Sequence, residues 1–152
     1  MKPVIKFMSS RLSRTLFAQK YTPGSADYSA KKALFKGNIL CHNPEKFQIL
    51  HDKIAINPDL ALGGVTWGWL NAAFESISIL EQKDVIEKII TPILLLSAQK
   101  DRVVSSWAQE KLSRKLSDCR FLSIKGAFHE LLFEEPEMER QIWEAFNRFI
   151  VE

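Results

Sequence analysis

The run TPILLLSA, residues 91–98, constrains the fold of this chain more than any other feature. It is continuously apolar over the length of one strand, the pattern of a strand covered on both faces in a parallel sheet. It ends at AQKD, and the next segment, SSWAQEKLSRKL, reads as an amphipathic helix. A capping box from Ser106 to Gln109 opens that helix, and Trp107, Ala108, Leu112 and Leu116 share one face. Cys119 to Ile124 is short and apolar enough for a second strand, and it runs into KGAFHE. Pro136 then starts a last helix at its favoured first position, with Glu137 and Glu139 in the first turn. Met138, Ile142, Phe146, Phe149 and Ile150 are expected to face inward from it. Strand, helix, strand, helix is the signature of an α/β arrangement, a parallel sheet flanked by helices.

The first 90 residues have another texture, of helices and loops. MKPVIKFMSSRLSRTLFAQK carries Lys2, Lys6, Arg11, Arg14 and Lys20 without an acid, and Ile5, Met8, Leu12 and Leu16 recur at helical spacing. Such a helix either packs on the domain with its charges in water or lies on anionic lipid; an acid-free start is also a feature of transit peptides. YTPGSADYS is a turn-rich break. HNPEKFQILHDKIAINPDL holds a helix between two Asn-Pro pairs, with Phe47, Leu50 and Ile54 on one side. After Gly63-Gly64 a further helix is expected to bury much of its circumference: Val65, Trp69, Ala73, Ile77 and Leu80 form a stripe that Trp67, Leu70 and Phe74 broaden.

Several function classes fall away on composition. With 152 residues, 46% of them apolar and 26% charged, the chain is that of an ordinary globular domain. A net charge of +3, without an arginine-rich stripe, gives no case for nucleic acid. Cys41 and Cys119 stand far apart with no metal-ligand spacing, so neither a zinc site nor a disulfide is expected, and the thiols read as reduced and cytosolic. The apolar runs are about half the roughly 20 residues a membrane span needs.

Both strands lead into polar corners, one at Asp101 and one at His129. Reactive groups in open parallel sheets gather beyond the carboxyl ends of the strands. An aspartate there can fix the tautomer of a histidine and stabilise its protonated form, leaving the second ring nitrogen to take a proton from a nucleophile. Spacing alone leaves two roles open to each residue: a packed or surface histidine against a base, and a helix-start acid against its orienting partner.

The surroundings decide more. TPILLLSAQKDRVV and FLSIKGAFHELLFEEPE, with a helix between and a helix after, resemble the closing portion of serine α/β-hydrolases. The similarity is to the lysophospholipase L2 and monoacylglycerol lipase branch, in which the acid is followed by a Val-Val-like pair and the histidine sits in a Gly-Ala-(Tyr/Phe)-His-Glu corner. Here these are Asp101, Val103, Val104, Gly126, Ala127, Phe128, His129 and Glu130. FKGNILCHNPEKFQ and NPDLALGGVTWGWLNAAFES resemble the helical cap that precedes the acid strand in that branch.

The resemblance implies the carboxyl-terminal portion of an α/β-hydrolase fold with an incomplete sheet: a helical cap over 1–90, then the last two parallel strands and their helices over 91–152. It implies His129 as general base and Asp101 as its orienting acid, with no cofactor and no metal. The implied substrate is a mono-acyl lipid, a lysophospholipid or monoacylglycerol, with Trp67, Trp69, Leu70 and Phe74 as acyl-chain contacts; anchoring of the cap is the other role open to those side chains. A cytoplasmic protein follows, with contact at the inner membrane face allowed by the basic first helix. The departure is large, because the Gly-x-Ser-x-Gly elbow that carries the attacking serine is absent from the chain. Ser25, Ser29, Ser97, Ser105 and Ser106 all have structural settings instead. The chain is therefore expected to be inactive alone. The rival expectation is a non-catalytic lipid-binding or complementing module that pairs with another chain, such as an amino-terminal hydrolase piece.

Overall fold

A computed structural model describes residues 3–31 and 33–151. Lys2, one of the basic residues of the first stretch, lies outside the described residues. The elements are α1 (Pro3–Leu12), α2 (Pro44–Ile56), α3 (Trp67–Leu80), α4 (Lys83–Ile86), β1 (Ile93–Ala98), α5 (Ser106–Ser113), β2 (Cys119–Ile124) and α6 (Pro136–Val151), with single 3₁₀ turns at Pro58–Leu60 and Leu131–Phe133.

β1 and β2 run parallel in a two-stranded sheet, in register from Ile93 opposite Cys119 to Ala98 opposite Ile124. Alternation along the strands sends Leu96, Ala98, Leu122 and Ile124 to one face. There Ala98, Ile124, Ala127 and Ile142 are buried together, with Leu131 and Met138 packed against them. On the other face Ser97, fully buried, donates to Gln109 Oε1 of α5 at 2.5 Å. That bond corrects the expected capping box. Ser105, not Ser106, caps α5 by accepting from the Ala108 amide, and the Gln109 side chain is turned to the sheet instead of back to the cap. β1 is also less covered than its run of leucines suggests: Ile93 to Leu96 are half-buried, and only Ser97 and Ala98 are buried. Along α6 the inward stripe is Met138, Ile142, Ala145 and Phe149, with the Arg120 guanidinium 5.6 Å over the Phe149 ring. Phe146 and Ile150, expected inside, are 41% and 61% exposed because they sit off that line of contact.

In the amino-terminal part α2 lies between the two Asn-Pro pairs, as expected; the first pair opens it and the second opens the 3₁₀ turn that follows. Asn43 accepts from the Lys46 amide at 3.0 Å ahead of Pro44, and Asn57 accepts from the Asp59 amide ahead of Pro58. α1 packs on α3, where Lys6 Nζ donates to Ser78 Oγ. The expected apolar stripe on α1 is not what the helix buries: its buried residue is Ser9, while Ile5 and Met8 are 40% and 41% exposed. Leu16 lies past the end of α1, where the Thr15 hydroxyl bonds the Leu12 carbonyl in a turn, and is 95% exposed. α3 buries only Phe74 fully. Trp69, Ile77 and Leu80 of its expected stripe stay exposed, because α1 and the turn before it cover one side alone.

Among the described residues no helix is long and apolar enough to cross a membrane.

Candidate active site

The two polar corners converge through a ladder of contacts beyond the strand ends. Gln99 Oε1 accepts from the Gly126 amide at 3.0 Å, the Lys100 amide donates to the Ala127 carbonyl at 2.9 Å, and His129 Nδ1 lies 2.8 Å from Asp101 Oδ2. Each successive residue of the acid loop thus engages the histidine loop. Gly126 makes the turn possible with φ of 79°, a conformation that a side chain would strain.

The aspartate is well held. Its side chain is 3% exposed, its Oδ1 accepts from the amides of Val103 at 2.7 Å and Val104 at 2.9 Å, and its Oδ2 is left for the imidazole. The valine pair therefore serves the acid through its backbone, while its side chains point to water. Burial pushes the Asp101 carboxyl up, but the hydrogen bonds from His129, Val104 and Val103 together outweigh it and hold the group below the usual aspartate range. An ionised Asp101 requires a proton on His129 Nδ1, which leaves Nε2 as the basic nitrogen. The His129 side chain is 29% exposed.

Two residues that sequence reasoning passed over complete the corner. Glu134 is fully buried and accepts from the Phe128 amide at 2.5 Å, the His42 amide at 3.2 Å and His42 Nδ1 at 2.7 Å. The His42 ring stacks on Phe128 with centroids 3.9 Å apart. In EEPE the sequence shows several acids near His129, and nothing in it marks Glu134 as the one that turns inward.

The four acyl-chain candidates lie on α3. Trp69 is 62% exposed, Trp67 and Leu70 are half-buried, and Phe74 is buried, the packing half of the two roles open to it. A cleft between β2 and α6, of about 400 Å³ and lined by Leu94, Arg120, Leu122, Gln141 and Arg148, includes none of these residues and neither Asp101 nor His129. The serines keep structural settings. Ser97 bonds Gln109, Ser105 caps α5, Ser106 starts that helix, Ser25 bonds Thr22, and the Ser29 carbonyl closes a turn to Ala33.

Residues 1–136 match the model of a family described as serine aminopeptidase, S33, Hydrolase_4. The chain belongs to this hydrolase family. It is 36% identical to a probable lysophospholipase L2 of Haemophilus influenzae over 94 residues, 62% of this chain and 29% of that protein. It is 30% identical to lysophospholipase L2 of Escherichia coli K12 over 146 residues, 87% of this chain and 41% of that protein. The chain thus spans less than half the length of these relatives. The crystal structure of a soluble variant of monoglyceride lipase from Saccharomyces cerevisiae, in complex with a substrate analog, superposes with a TM-score of 0.61 at 15% identity, covering 97% of this chain and 48% of that one. At this identity the likeness is one of fold. Helices followed by a small open parallel sheet make this S33 member a partial α/β-hydrolase fold, as its resemblance to the lysophospholipase and monoacylglycerol lipase branch implied.

Proposed function

We propose that this chain carries the acid and base of a serine carboxylic-ester hydrolase acting on lysophospholipids or monoacylglycerols, with the attacking serine outside these 152 residues. The observation that carries the reading is the 2.8 Å contact between Asp101 and His129 at the carboxyl ends of two parallel strands. Asp101 holds Nδ1; Nε2 removes the proton as a serine oxygen attacks the acyl carbon, then returns it to the departing alcohol. Water attacks the acyl-enzyme in the same way. The names of the relatives support the substrate class, and the exposed Trp69 on α3 supports an acyl contact within a cap formed by residues 1–90. Residues 91–152 then form the closing part of the hydrolase core.

A second reading, a non-catalytic lipid-binding or complementing module, is favoured by different observations. Phe7 is exposed with the Arg11 guanidinium 5.4 Å over its ring, which suits an anionic membrane surface, and β1 pairs on one side alone among the described residues.

One assay tests the missing nucleophile and a second separates the readings. The purified chain should not turn over a nitrophenyl ester; turnover abolished by His129→Ala would contradict the missing nucleophile. Fused in place of the corresponding part of Escherichia coli lysophospholipase L2, the chain should support hydrolysis of lysophospholipid or monoacylglycerol under the hydrolase reading. A soluble, folded fusion without hydrolysis of either favours the non-catalytic module.

A further inference from the structure

The same corner holds a second carboxylate–imidazole pair, and its geometry is directed at the backbone of the first. His129 lies between two residues whose amides are both tied to other parts of the chain. The Phe128 amide donates to Glu134 Oε1 at 2.5 Å, and the Glu130 amide donates to the Leu40 carbonyl at 2.7 Å. Glu134 has no exposed surface, and its other oxygen accepts from both the amide and Nδ1 of His42. His42 in turn covers the Phe128 ring at 3.9 Å. The segment holding His42 leads directly into α2, whose Lys46 reaches across to the Leu132 and Glu134 carbonyls and pairs with Glu139.

A buried ion-accepting group is costly to leave partly satisfied, so a carboxylate placed here enforces one arrangement of its donors. One donor is the amide immediately before His129. Loss of either partner would loosen one side of the Ala127–Phe128 peptide, whose carbonyl would still accept from the Lys100 amide, and a histidine whose backbone shifts by a fraction of an ångström no longer meets Asp101 in line. We propose that Glu134 and His42 are positioning residues for His129: they lock the peptide ahead of it and couple its place to the helical segment that begins α2. The inference rests on the reading of His129 as the base, since it assigns to this pair the orientation of that base and no contact with substrate.

The test is an NMR measurement on the whole chain, following the Nδ1 proton of His129 and the Phe128 amide, with His129 assigned by substitution. In the unaltered chain the Nδ1 proton should be protected from solvent exchange and should lose that protection in Asp101→Asn. His42→Phe keeps a ring on Phe128 but removes the Nδ1 donor, and Glu134→Gln keeps the shape but removes the charge. Both should exchange the two protons about tenfold faster, the effect of losing one hydrogen bond of ordinary strength. His42→Gln, which retains an N–H donor, should restore protection. Unchanged exchange in His42→Phe and Glu134→Gln overturns the proposal; if Glu134→Gln fails to fold, His42→Phe decides alone. A His129 proton indifferent to Asp101→Asn removes the base reading itself, and the positioning role with it.

Discussion

Residues 93–151 and residues 3–90 differ in how they bury their apolar side chains. In the first region α6 covers one face of the sheet and α5 the other, and Ala98, Ile124, Ala127 and Ile142 join in one buried cluster. In the second, buried residues occur singly: Cys41, Phe47, Phe74 and Ile86, among exposed Phe7, Phe17, Trp69 and Ile79. A parallel strand–helix–strand unit supplies its own covering layers from adjacent sequence, whereas a helix packs only as well as distant segments allow. The region with the shared buried cluster is the one that holds the Asp101–His129 contact.

Substitutions can break this contrast. Ile124→Ala should show the largest loss, about 3–4 kcal/mol in chemical unfolding, since Ile124 is fully buried within the cluster. Phe74→Ala should cost somewhat less, about 3 kcal/mol, because its looser surroundings can close on the gap; a larger loss than for Ile124→Ala would reverse the comparison. Gly126→Ala should cost about 1 kcal/mol from the positive φ alone, as nothing but the Met138 methyl, 3.6 Å from the added carbon, stands nearby.

The site adds a pH signature. The Asp101 pKa is lower in the folded chain than the roughly 3.9 of an unfolded aspartate, so ionised Asp101 stabilises the fold fully above that value and loses the effect as pH falls through the folded one. The stability gap between the unaltered chain and Asp101→Asn, followed by urea unfolding, should shrink below about pH 4. A gap that does not shrink below that pH contradicts the assignment. Trp69→Ala should show the smallest effect, within about 0.5 kcal/mol, since the ring is 62% exposed. A cost near that of Ile124→Ala would mean the helical region has a core of its own.

The same contrast governs what was legible in the sequence. Both strands, α5 and the start of α6 are marked by local signals: continuous apolar runs, a serine near the helix start, a proline at its first position. The helix between the two Asn-Pro pairs was equally plain, because a cap is chemistry within four residues. The burial of α1 and α3 was not, since periodicity marks an apolar stripe but not the partner that must cover it. Asp101 and His129 stood out as candidates because strand ends and a family-like corner coincide. Glu134 and His42 were missed because their meeting spans 92 residues and leaves no mark in either local segment.

The central claim is that Asp101 and His129 act together as acid and base toward a serine they do not carry. The most direct measurement is lysophospholipid hydrolysis by the fusion with Escherichia coli lysophospholipase L2, compared with the same fusion bearing His129→Ala or Asp101→Asn. The account predicts a fall in kcat of about a thousandfold or more for each variant, with the fold intact. Variants that hydrolyse at the parental rate would contradict it.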